Sequence, residues 1–129
     1  TININFFKKW KVKQMSVTIY HNPRWGKSRQ TLQILNEAGK DCTVIEYLKE
    51  TPSSQELEAI FKKIGIPPSE GIRKNETEFK ENNISLHIND KRKLLNLMAQ
   101  FPKIIERPIV VTEKGAVIAR PPEKVFEIL

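Results

Sequence analysis

A chain of 129 residues with 22 Lys and Arg against 15 Asp and Glu, 39% hydrophobic residues, two His and one Cys can pack one ordinary core, and it has no cluster at zinc-ligand spacing. A single cysteine excludes an internal disulfide and fits a reducing, cytoplasmic compartment, and no apolar run reaches the ~20 residues that span a membrane. The net charge of +7 gathers at one end: Lys8, Lys9, Lys11 and Lys13 fall in residues 1–15 with no acid, leaving 18 basic and 15 acidic residues elsewhere, so nucleic acid is not an expected partner.

Residues 1–14 precede Met15 and read as an N-terminal extension, a leader or an appended remnant, with a basic aromatic arm for a membrane surface or a partner as the other reading. Residues 15–129 are expected to form one domain. Ser-Val-Thr-Ile-Tyr at 16–20 is rich in β-formers, and His-Asn-Pro-Arg-Trp-Gly-Lys-Ser at 21–28 carries turn chemistry. A helix is predicted next, with Leu32, Ile34, Leu35 and Ala38 on its apolar face and Gly39 as a left-handed stop. Thr43 to Tyr47 is the second strand. Strand, helix and strand in about 30 residues make a right-handed βαβ unit with parallel strands.

The following helix is specified by a capping-box pattern, Ser53 with Glu56, and by Leu57, Ile60, Phe61 and Ile64 at helical spacing, with Gly65 ending it before Pro67 and Pro68. A short helical or turn stretch at 69–75 and a polar segment lead to a helix from Asp90, with Leu94, Leu95, Leu97, Met98 and Phe101 inward. Met98 reads as core filler, and His87 as surface or structural. Ile109–Thr112 and Ala116–Ala119 form an antiparallel hairpin across Glu113, Lys114 and Gly115, the glycine being assigned the left-handed position. Pro121 and Pro122 open a final helix with Val125, Phe126 and Leu129 as its face. The order is α/β and thioredoxin-like: a mixed four-stranded sheet from a βαβ unit and a C-terminal β-hairpin, with flanking helices and a helical insertion.

The loop from His21 to Ser28 enters a helix N-terminus, where free backbone N–H groups favour an anion, and Arg24, Lys27 and Arg29 add charge. The other reading is a polar βα turn bent by Asn22-Pro23. Arg73, Arg107 and Arg120 each flank an element end. Singly each reads as a solvated charge or an ion-pair partner; together they could surround a tetrahedral oxyanion, which a forked guanidinium matches.

Thr-Ile-Tyr-His-Asn-Pro at 18–23, Gly-Lys-Ser-Arg at 26–29, Arg-Lys-Asn at 73–75, Arg-Pro-Ile-Val-Val-Thr at 107–112 and Arg-Pro at 120–121 give the chain, from Val17 to Leu129, an extensive likeness. In them it resembles the glutaredoxin-dependent arsenate reductases. The resemblance implies reduction of arsenate to arsenite through a cysteine adduct, with glutathione and glutaredoxin as reductant and no bound cofactor or metal. It also implies that Arg73, Arg107 and Arg120 hold the oxyanion with the helix start at Gly26, Lys27 and Ser28, that His21 tunes the nucleophile, and that a cis peptide precedes Pro108.

The departure lies at the position of the family's nucleophilic Cys, where this chain has Trp25. An indole offers one N–H donor and no thiolate, so the thiol step cannot start there, and its ring is expected to pack in or over the anion pocket. Cys42, beyond the far end of the first helix, reads as a structural thiol more readily than as a substitute nucleophile. Two alternatives stand beside the enzyme. One is a non-catalytic module for arsenate, phosphate or sulfate; the other is an Spx-like protein that binds RNA polymerase, although the redox Cys pair of that group is missing.

Overall fold

The computed structural model describes residues 16–129; the expected N-terminal extension lies outside the described residues. Strand β1 (Ser16–His21) leads through a turn into helix α1 (Gly26–Glu37), then strand β2 (Asp41–Glu46) and helix α2 (Ser54–Ile64). The helical middle holds 3-10 turns at Pro68–Gly71, Ile84–His87 and Pro102–Ile104, a short α3 (Thr77–Glu81) and α4 (Lys91–Gln100). Strands β3 (Ile109–Val111) and β4 (Ala116–Ile118) and a 3-10 helix, Pro122–Glu127, complete the fold. No helix among the described residues is long and apolar enough to cross a membrane.

The sheet runs β2-β1-β3-β4. β1 and β2 are parallel from Ser16↔Asp41 to His21↔Glu46, β3 is antiparallel to β1 through Tyr20↔Ile109, and β4 closes the hairpin through Ile109↔Ile118. Alternation along these strands separates two cores. Tyr20, Ile109, Leu57, Phe61, Leu94 and Met98 belong to one, and Val17, Ile19, Leu35, Val110 and Val125 to the other, where α1 packs on the terminal 3-10 helix.

The caps follow the sequence reading with one change. Ser53 Oγ accepts from the Glu56 N–H at 3.1 Å and Gly65 stops α2 at φ 85°, but the Glu56 carboxylate turns to the Tyr20 hydroxyl, which donates to it at 2.8 Å. Asp90 caps α4 by accepting from the Lys93 N–H.

Other expectations are corrected. β2 begins at Asp41 and ends before Tyr47, so Cys42 pairs with Val17 inside the ladder. Ala38 is exposed, because α1 ends at Glu37 and its buried face is Ser28, Thr31 and Leu35. The polar segment after Asn75 is helical, with Phe79 and Ile84 buried among hydrophilic neighbours. Gly115 has no left-handed φ: the hairpin loop closes instead through Thr112, whose N–H donates to the Gly115 carbonyl and whose Oγ1 accepts from the Lys114 N–H. The last helix is 3-10. Its tighter repeat of three turns Val125 and Ile128 inward and leaves Phe126 61% exposed, with Leu129 half-buried.

Candidate functional site

Sheet register brings the site together. β1 lies between β2 and β3, so the loop after His21 emerges beside the start of β3, where Arg107 precedes Pro108. Continuing the β3–β4 register beyond Ile109↔Ile118 sets Arg107 opposite Arg120, and the Ala119 N–H donates to the Pro108 carbonyl at 2.8 Å to hold that alignment. Both peptide bonds that follow these arginines, before Pro108 and Pro121, are cis. Arg73 arrives from the helical middle: an isolated bridge, Ile72↔Ile105, with Arg73 N–H to Ile104 O at 2.7 Å and Glu106 N–H to Gly71 O at 2.8 Å, pins it beside Glu106.

The arginines are strung on two carboxylates. Glu106 Oε1 accepts from Arg73 Nη1 and from Arg120 Nη1, each at 3.1 Å, and Glu76 Oε1 accepts from Arg73 Nε at 3.1 Å. Arg107 Nη1 lies 3.9 Å from Glu76 Oε1, an ion-pair distance too long for a hydrogen bond, and it is buried without a hydrogen-bond partner. Burial, reinforced by the neighbouring Arg73, pulls the Arg107 guanidinium down from 12.5 to about 10. Arg120 is the outermost member, exposed to solvent.

Trp25 sits on this string. The Arg107 Cζ lies 2.8 Å from the centre of its ring and that of Arg73 5.8 Å away, while the Tyr47 ring is tilted at 48° with centroids 6.4 Å apart. The quadrupole of the indole favours a cation over its face. Burial holds the Tyr47 phenol well above its ordinary range despite the opposing pull of Arg107 and Arg73, and its hydroxyl has no hydrogen-bond partner. An open cleft of about 540 Å³ reaches this point, walled by His21, Trp25, Leu48, Lys49, Glu76 and Arg107 among others.

Backbone bonds set the loop geometry. The Trp25 N–H donates to Asn22 O at 3.1 Å, Asn22 Oδ1 accepts from the Arg24 N–H, and Trp25 occupies the N-cap of α1 without a side-chain cap. The first N–H groups of α1, at Gly26, Lys27 and Ser28, therefore lie at an uncapped helix end. Ser28 is buried; its Oγ is 2.6 Å from His21 Nδ1 and accepts from the Asn22 N–H. Burial lowers the His21 pKa below its usual value, with Glu46 opposing and Arg29 adding to the shift. Lys27 points to solvent.

Cys42 lies outside this group. Its register partner is Val17, four residues before the His21↔Glu46 pair, or ~13 Å along a strand. Burial, then Asp41, pushes its thiol up, and Sγ points to Lys40 O at 3.6 Å. His87 is half-buried on a separate 3-10 turn. Sequence reasoning missed Glu76, Glu106 and Tyr47. An acid directly before Arg107 and another three residues after Arg73 were the available signals, but such spacings are common on solvated helix faces.

A mixed sheet whose inner strand delivers a loop and helix N-terminus to a cluster of ion-paired arginines defines a thioredoxin-like protein. The profile of the ArsC family matches residues 20–128. The arsenate reductase of Rhizobium meliloti (strain 1021) is 43% identical over 115 residues, covering 89% of this chain and 82% of that protein, and the arsenate reductase of Escherichia coli (strain K12) is 39% identical over 114 residues, covering 88% and 81%. The solved structure of an arsenate reductase from Vibrio cholerae superposes with a TM-score of 0.85 at 43% identity, covering 89% of this chain and 98% of that one. The chain belongs to the ArsC family.

Proposed function

We propose that the pocket binds a tetrahedral oxyanion, arsenate in line with the named activity of the relatives, and that phosphate and sulfate are its analogues. The placement of Arg107 and Arg73 on the residue at the mouth of α1, with Arg120 tied to Arg73 through Glu106, carries this reading. The guanidiniums supply forked donors, and the first N–H groups of α1, at Gly26, Lys27 and Ser28, lie at the positive end of a helix dipole. Reduction then needs a thiolate at the helix mouth, held close to arsenic by that cradle, with glutathione and glutaredoxin resolving the adduct. A cytoplasmic setting supplies both reductants.

In this chain the thiol step is missing. Trp25 has no electron pair suited to attack, and Cys42 lies at the wrong end of its strand. Trp25→Cys places sulfur at an uncapped helix N-terminus near cations, where a thiolate is stabilised. His21, its pKa lowered by burial and its Nδ1 2.6 Å from Ser28 Oγ, would then tune that thiol as a neutral hydrogen-bonding group.

The test is arsenate turnover coupled to glutathione and glutaredoxin. The native chain is expected to show none above background and Trp25→Cys to show measurable turnover. A folded Trp25→Cys protein without turnover overturns the reading, and so does turnover by the native chain.

A further inference from the structure

We propose that Glu76 makes the pocket selective for oxyanions that still carry a proton, such as arsenate and phosphate, over sulfate. The inference rests on the anion-binding reading above and adds the protonation state of the ligand to it.

Arg73 already has acceptors on Nε and Nη1, and Arg120 on Nη1. Arg107 Nη1 is the unpartnered buried donor, and its nearest acidic oxygen is Glu76 Oε1 at 3.9 Å. A ligand oxygen that accepts from Nη1 therefore brings its neighbouring oxygens against the Glu76 carboxylate. Glu76 and Arg107 wall the same cleft, whereas Glu106 lines a separate, much smaller void with Tyr20 and Tyr47.

Two bare oxygens facing each other repel. An As–OH or P–OH group removes the conflict by donating its proton to Glu76 Oε1 while another oxygen accepts from Arg107. Sulfate has no proton near neutral pH, so it must set an acceptor against an acceptor. A hydrogen bond to a charged group is worth enough to change affinity roughly tenfold or more. The Trp25 ring over Arg107 must swing aside for either anion, so it lowers both affinities without changing their ratio.

The experiment is calorimetric titration of phosphate, arsenate and sulfate at neutral pH into the full chain, its Trp25→Ala variant, and each of these carrying Glu76→Gln. Phosphate and arsenate are expected to bind roughly tenfold or more tighter than sulfate in the first two. Glu76→Gln is expected to move that ratio toward unity, because an amide can present either its oxygen or its nitrogen to the ligand. Glu78→Gln removes the same charge from a carboxylate paired with Lys103, and should shift all three anions together with the ratio intact.

Equal affinity for sulfate and phosphate in the native and Trp25→Ala proteins overturns the selectivity while leaving the anion site standing. Absence of all three anions from both proteins overturns the site and the selectivity with it. A ratio that falls as far in Glu78→Gln as in Glu76→Gln removes the assignment to Glu76. The native ratio decides the matter even where Glu76→Gln does not fold.

Discussion

Arg107 holds a full charge against the face of an indole while one of its donors goes unused, an arrangement poor for stability and suited to binding. Arg107→Gln removes the buried cation and leaves Glu76 paired with Arg73. The thermal midpoint is therefore expected to hold while phosphate affinity falls roughly tenfold or more, as calorimetry and a melting curve would show. His21 gives a prediction in pH. Because burial sets its folded pKa below 6.5, the unfolded chain takes up the proton first as pH falls. Its contribution is complete above that value and drains away below it, so the urea midpoint of the native chain should fall relative to that of His21→Gln between about pH 7 and pH 5. A native midpoint that holds or rises relative to that of His21→Gln on acidification would refute this. At this scale the sequence was half legible. Arg73, Arg107 and Arg120 stood out because each flanks an element end, while Glu76 and Glu106 stayed hidden because a carboxylate near an arginine looks the same whether it faces water or a pocket.

Among the elements, α2 was the most readable, because its start, stripe and stop are all local signals, and its cap gives a direct test. Ser53→Ala should cost about 1 kcal/mol in chemical denaturation. Gly71 was not readable. A Cβ there would run into the ring of buried Phe61, a constraint that exists only once the helical middle has packed, and Gly71→Ala should cost about 2 kcal/mol by the same measurement. Because Gly71 O receives the Glu106 N–H, the same change should also loosen the Arg73 and Glu106 pair and weaken phosphate binding. The terminal helix was misread because its three-residue repeat turns inward a different set than a 3.6-residue repeat would. The short α3 was missed because five residues are too few for periodicity to show.

For the whole molecule, the parallel first pair and the C-terminal hairpin followed from the alternation of elements and the right-handed crossover, but the pairing of β1 with β3 that joins them into one sheet did not. Convergence of the arginines did not follow, since it depends on register across the long-range β1–β3 pair, one hairpin and a bridge. The sheet makes its two cores share a single layer, so Leu35→Ala on one face and Leu94→Ala on the other should each cost roughly 2 to 5 kcal/mol. Each variant should still unfold in one transition, with circular dichroism and tyrosine fluorescence coinciding. Separate transitions would show that the layers melt independently.

The turn before α1 is closed by main-chain atoms and by Asn22, and the side chain of residue 25 contributes no hydrogen bond to it. Position 25 is thus a socket: its tenant can change from sulfur to indole without rewiring the scaffold that presents it. Reactivity and architecture are separable in this molecule, and one substitution at that position is enough to discard or regain its chemistry.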